Sequence, residues 1–157
     1  MMDEQVLKNL TEAIVQELKG RKVTLEKAQK LSAAVRAKAK EIGVKAVVAV
    51  ANEAGHPILV ECEEDSYLAS FDVALQKSYT VVALKMSTMT LKPLAQPGGS
   101  LYGIQFTNQG KIVIFGGGEP LCAPDGAVIG GLGVSGGSEE QDAALAAFGK
   151  EVFEKGL

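Results

Sequence analysis

Lys77 is the first residue in this chain whose type and setting could do chemistry. It stands one turn after Val73 and two residues before Tyr79, in a stretch with helical spacing and few other charges. A lysine so placed either snorkels to the surface or presents its ammonium to a ligand carboxylate or a helix C-terminus. Gly116-Gly117-Gly118-Glu119-Pro120 offers a different opportunity. Three consecutive glycines let a backbone or a flat ligand approach without a Cβ in the way, and they equally suit a bulge. No Gly-Lys-Ser/Thr follows at P-loop spacing, so phosphoryl transfer has no support. Gly131-Leu132-Gly133-Val134-Ser135-Gly136 satisfies G-x-G-x-x-G where a strand should feed a helix. A dinucleotide fold needs a further strand ending in a ribose-binding acid, but only 21 residues follow Gly136 and a helix consumes most of them. What survives is a glycine turn at a helix N-terminus, either structural or able to hold a carboxylate or phosphate.

The remaining candidates are sparser. His56 is the only imidazole, which rules out multi-histidine metal sites within one chain. In a hairpin loop it is expected to be solvated, with axial ligation of a haem iron as the chemical alternative. Met86 and Met89 read as adaptable gap fillers. Glu61, Glu63, Glu64 and Asp65 lack EF-hand spacing and read as a solvated acidic turn. Cys62 and Cys122 have no C-x-x-C spacing and are expected as reduced thiols.

The elements that must position these residues follow from periodicity. Leu7, Leu10, Ile14 and Leu18, with Val6 and Ala13 beside them, mark an amphipathic helix ended by Gly20. Thr24 caps a second helix with Ala28, Leu31, Val35 and Ile42 on one face. Ala46 to Ala51 and Pro57 to Cys62 form an antiparallel hairpin across Asn-Glu-Ala-Gly-His. A central helix over Tyr67 to Lys85 places Phe71, Leu75, Ser78 and Val82 on one face, and its apolar content implies burial on more than one side. Met86 to Gly110 suits short helical turns and loops. Strands are expected at Lys111 to Phe115 and Pro120 to Cys122, as a second hairpin-like pair, and, after Pro-Asp-Gly, at Ala127 to Val134. Ser138 and Gln141 form a capping box for a closing helix with Leu145, Phe148 and Val152 buried. The sum is an α/β (α+β) domain over residues 1–157, a five-stranded, mainly antiparallel sheet flanked by helices.

At 157 residues a real core is feasible, since a domain of this length buries roughly 70% of its unfolded surface. Eight aromatic residues and no Trp leave the packing to Val, Ile, Leu and Ala. A net charge of −3 with scattered basic residues excludes a nucleic-acid footprint. The opening MMDEQVLKNLTEAIVQELKG breaks its apolar residues with charges, so neither a secretory signal nor a membrane span is expected, and the location should be cytoplasmic.

Several spaced motifs then occur in one order: Leu68 to Thr80 with Lys77, Lys92-Pro-Leu-Ala-Gln-Pro-Gly98, Ile112 to Leu121, and Ile129 to Ser138 with Glu140-Gln-Asp142. On these the chain resembles the GlcG/HbpS haem-binding family, which includes the C-terminal domain of PduO-type corrinoid adenosyltransferases. Leu84-Lys-Met-Ser-Thr and Leu101-Tyr-Gly-Ile-Gln are most similar to PduO-like members associated with bacterial microcompartments. The resemblance implies a profilin-like fold, homo-oligomers of two or more chains, and haem or a related tetrapyrrole, possible corrinoids included, as small-molecule ligand. It sets Lys77, Gly116, Gly117, Gly118, Pro120, Ser135 and Gly136 on family motif positions. Cys62-Glu-Glu-Asp-Ser66 departs from the basic turn many relatives carry there. The leading expectation is a tetrapyrrole-binding or sensing module linked to corrinoid-dependent metabolism, with Glu119 beside the glycines. The alternatives are a small-metabolite enzyme using Lys77 or Glu119 as acid/base, and a ligand-free structural or docking subunit.

Overall fold

The computed structural model describes residues 3–157. Its elements are α1 (Glu4–Gly20), α2 (Leu25–Glu41), β1 (Val47–Asn52), β2 (Pro57–Cys62), α3 (Leu68–Leu84), α4 (Thr88–Leu94), β3 (Gly118–Cys122), β4 (Val128–Ser135) and α5 (Glu139–Glu154), with two short 3₁₀ turns between α4 and β3. The sheet has four strands rather than the expected five, in the order β2-β1-β4-β3, with every pair antiparallel.

Local chemistry explains most boundaries. Asn52 Oδ1 accepts the backbone N–H groups of Ala54 and His56, and Gly55 adopts φ +74°, which closes the β1–β2 hairpin. Thr24 caps α2 through the Lys27 N–H. The Ser138 and Gln141 capping box opens α5 as expected. Gly126 (φ +84°) and Asp125, whose carboxylate accepts the Ala127 N–H, turn β3 into β4.

The missing strand is Lys111 to Phe115. Its β-branched residues read as a strand, but the backbone finds side-chain partners instead of a ladder. Val113 N–H donates to Thr80 Oγ1, Lys111 C=O accepts from the same hydroxyl, and Gly116 N–H donates to Glu139. Strand geometry begins only at Gly118, and β3 pairs with β4, not with the preceding segment.

Alternation along β1 and β4 sorts the core into two faces. Val48, Val50, Leu132 and Val134 meet Leu31 and Val35 of α2 and Leu145 of α5. Val47 and Ala49 point the other way, toward Ala74 of α3. Phe148 and Val152 of α5 are only half-buried. Ile42, expected on the buried face of α2, caps the helix and is 42% exposed.

The face α3 buries also differs from expectation. Ser70, Ala74, Lys77, Ser78 and Val81 are buried, while Phe71 is exposed and Leu75 and Val82 are half-buried. The inner face is small because α3 lies almost on the backbone of β4. A Cβ on Gly131 would strike the Ser78 carbonyl, and one on Gly133 would strike the Ala74 carbonyl. The helix with the strongest apolar character therefore keeps its bulky residues outward. α1 forms as expected but none of its residues is buried. Among the described residues no helix is long and apolar enough to cross a membrane.

Candidate functional site

The end of the sheet where β3 begins and β4 finishes gathers most of the residues singled out by sequence. Lys77 reaches there from α3 and is fully buried. Its ammonium donates to the Val134 carbonyl at 2.8 Å and to Asp142 Oδ2 at 3.2 Å. The ring of Phe115 covers the third side, with its centroid 4.9 Å from Nζ. Asp142 belongs to α5, so this pair ties helices on opposite faces of the sheet. Its other oxygen accepts the Gly137 N–H at 2.9 Å.

The three glycines make this arrangement possible. A Cβ at Gly117, where φ is +112°, would sit 2.6 Å from Lys77 Nζ. At Gly118 it would lie 2.8 Å from Thr88 Cγ2, and at Gly116 2.6 Å from Met89 Sδ. The glycines thus admit the protein's own side chains, and no bare backbone wall is left for a ligand within one chain. Thr88 Oγ1 accepts the Gly118 N–H, and Glu139 accepts that of Gly116 while pairing with Lys92. Burial pushes the Lys77 ammonium below the usual lysine range and the Asp142 carboxyl above the usual carboxylate range, each opposed by its partner's charge. With no exposed surface, the Lys77 amine meets no substrate in this conformation.

Ser135 is buried, and its hydroxyl is bonded to that of Ser70 at 3.1 Å. Gly136 (φ +152°) packs against the Lys45 carbonyl and borders a shallow depression of about 490 Å³ with Lys45, Tyr67 and Ser138. The α5 N-terminus, read as either a structural turn or an anion site, spends its caps and acids within the chain. Asp142, Gln141 and Ser138 take the N–H groups of Gly137, Ser138 and Gln141, and three acids occupy the first turn. Pro120 is buried in β3. Glu119 stands apart, beside Lys150 at 3.4 Å, and burial pushes its carboxyl up despite that cation.

Glu119 gives a pH prediction. The folded chain holds its proton at pH values where the unfolded chain has lost it, so its contribution to stability falls as pH rises from the ordinary glutamate range through the raised value. Thermal midpoints of Glu119→Gln and parent should be closest at acid pH, with the variant gaining relative to the parent toward neutrality. Parallel pH profiles would refute this.

His56 is exposed in the β1–β2 turn, and its neighbour Gly55 lies against the Tyr79 ring. Glu61 and Glu63 bind Arg36, Ser32 and Lys40, Asp65 binds Lys45, and Glu64 is exposed, so most of the acidic turn goes to ion pairs. Among the described residues no cluster of three His, Cys, Asp or Glu could hold a metal ion. Cys62 and Cys122 are both free, and burial raises the Cys122 thiol. Single-residue reasoning missed Asp142, Thr88 and Glu139. Asp142 entered only within the Glu140-Gln-Asp142 motif, with no role attached.

Comparison with known proteins sets this geometry in context. The family model described as haem degrading protein HbpS-like matches residues 23–151. The chain is 45% identical over 131 residues to a protein of Citrobacter freundii named for the dhaT-dhaS intergenic region, covering 83% of this chain and 92% of that one. It is 41% identical over 116 residues to the corrinoid adenosyltransferase PduO of Salmonella typhimurium, which covers 74% of this chain but only 34% of PduO. A crystal structure described as a PduOC:heme complex superposes with a TM-score of 0.79 at 37% identity, over 83% of this chain and 94% of that one. With its core matched from Val23 into α5, the chain belongs to the HbpS-like family.

Proposed function

We propose that the chain binds haem or a related tetrapyrrole on the apolar cover that Phe115 and Met89 form at the Lys77 and Gly116–Gly118 cluster. The observation that carries this reading is the likeness, at 37% identity, to a domain solved with haem. The local chemistry agrees with it. Phe115 and Met89 are 41% and 44% exposed, so an aromatic face and a thioether remain available where the glycines are filled. A flat macrocycle stacks on such a ring, and a thioether or an imidazole can ligate its iron. Bound haem would supply an iron centre able to take a donor from the protein. Met89 is the donor at the cluster, whereas exposed His56 lies in the β1–β2 turn, toward the other end of the strands.

In this reading Lys77, Gly116, Gly117, Gly118, Pro120, Ser135 and Gly136 form the scaffold behind the binding face. Lys77 holds the Phe115 ring from beneath, and Glu119, next to Gly118 in β3, turns toward α5 and pairs with Lys150. The outward residues Tyr67, Leu68 and Phe71 of α3 supply an apolar contact for a second copy, consistent with a homo-oligomer. The kinship with part of PduO supports a link to corrinoid-dependent metabolism.

Titration with hemin should give a saturable Soret band, and cobalamin serves as the corrinoid arm of the same test. Phe115→Ala should weaken binding about tenfold, the loss expected for one aromatic contact of about 1.4 kcal/mol. Met89→Ala should shift the band, whereas His56→Ala, away from the cluster, should leave it in place. No saturable change with either pigment would end the proposal.

A further inference from the structure

α1 is an amphipathic helix that the fold leaves without a partner. Val6, Leu7, Leu10, Ile14, Val15 and Leu18 are 41–57% exposed, and no residue of the helix is buried. A 17-residue helix is marginal by itself in water, so this one needs its stripe covered. Its root is fixed. Arg21 pairs with Asp125 at 2.8 Å, and Lys27 Nζ donates to the Lys19 and Lys22 carbonyls, so the helix projects from the junction of α2 with the β3–β4 turn. α1 also lies outside the residues matched by the family model.

We infer that α1 is an association arm whose occupant is α1 of a second copy, packed antiparallel. Leu7, Leu10, Ile14 and Leu18 follow one another at steps of three and four, with Val6 and Ala13 alongside. Lys8, Glu12 and Lys19 lie away from the stripe, which Thr11 and Glu17 interrupt. The two ends are complementary in charge. Asp3 and Glu4 stand at the N-terminus, and Lys19 and Lys22 at the C-terminus. An antiparallel pair sets each acidic end beside the other chain's basic end and opposes the two helix dipoles. A two-fold axis then makes one surface serve both partners. A lipid surface fits less well. The helix with its cap carries four acids against two lysines and no aromatic residue, whereas interfacial helices are rich in Lys, Arg and aromatics.

The test is sedimentation velocity on the full chain and on a Leu10→Glu/Ile14→Glu variant over a wide concentration range. The full chain should reach twice the particle mass of the variant at equal concentration, whatever other contacts the core makes. A Lys8→Glu/Glu12→Lys exchange on the polar face should leave the mass unchanged. Because α1 adds nothing to the core, the thermal midpoint of the core should be the same in all three proteins. Equal masses for the full chain and the stripe variant would overturn the inference. Stripe-dependent flotation with anionic vesicles, or stripe-dependent retention of another protein without mass doubling, would also overturn it, in favour of a lipid or a foreign partner.

Discussion

Gly133→Ala should lower the unfolding midpoint by roughly 6–12 °C, which is what a loss of about 3 kcal/mol does to a domain of this size. The added methyl would meet the backbone of α3, with Ser78 N at 2.8 Å and the Ala74 carbonyl closer still. Backbone cannot rotate aside as a side chain can. The helix must lift from β4 or the strand must bow, and either opens packing on the α3 face. Gly20→Ala is the control, because nothing lies within 4 Å of its Cβ and its φ is not positive. It should change stability by no more than about 0.5 kcal/mol. Differential scanning calorimetry distinguishes the two, and a Gly133→Ala midpoint within a degree or so of the parent would show that α3 does not sit on the strand as described.

Lys77→Met should cost a comparable or larger amount, about 3–5 kcal/mol, because it leaves the Asp142 carboxylate buried without its cation. The methionine keeps most of the stem volume, so the loss reports the missing charge. Lys77→Met with Asp142→Asn should recover much of that loss, since the asparagine can still accept the Gly137 N–H. The deficit of Lys77→Met should also depend on pH. Without the ammonium, the Asp142 carboxyl is left with burial raising its pKa, and the folded chain then binds a proton that the unfolded chain releases. Stability relative to the parent should therefore improve as pH falls from neutrality toward the ordinary aspartate range. Urea titrations of the two variants at neutral and acid pH check both parts. Equal stability of Lys77→Met and parent at neutral pH would mean that the pair contributes nothing.

The two variants probe one design. Glycines in β4 bring α3 down onto the sheet, and glycines before β3 open the space through which Lys77 reaches Val134 and Asp142. Phe115 is then held over a fixed cation and stays 41% exposed. The G-x-G-x-x-G pattern is explained by this packing: Gly131 and Gly133 meet helix backbone, and Gly136 meets the Lys45 carbonyl.

What could be read from the chain alone was whatever depends on near neighbours. The β1–β2 hairpin follows from Asn52 and Gly55, the start of α5 from Ser138 and Gln141, and the extent of α3 from its uninterrupted helical pattern, because turns and caps are settled within a few residues. The site's glycines and Lys77 could likewise be picked out as unusual. Their partners could not. Asp142 is 65 residues from Lys77, and Thr80 meets Val113 across 33. Only the folded arrangement decided that Lys111 to Phe115 would bond to side chains rather than join the sheet, that α3 would turn its small residues inward, and that Lys77 would be enclosed. Periodicity showed that α1 has an apolar stripe, but a stripe does not specify what covers it. Hydrophobic pattern is a property of the segment, whereas pairing and burial belong to the segments that meet it.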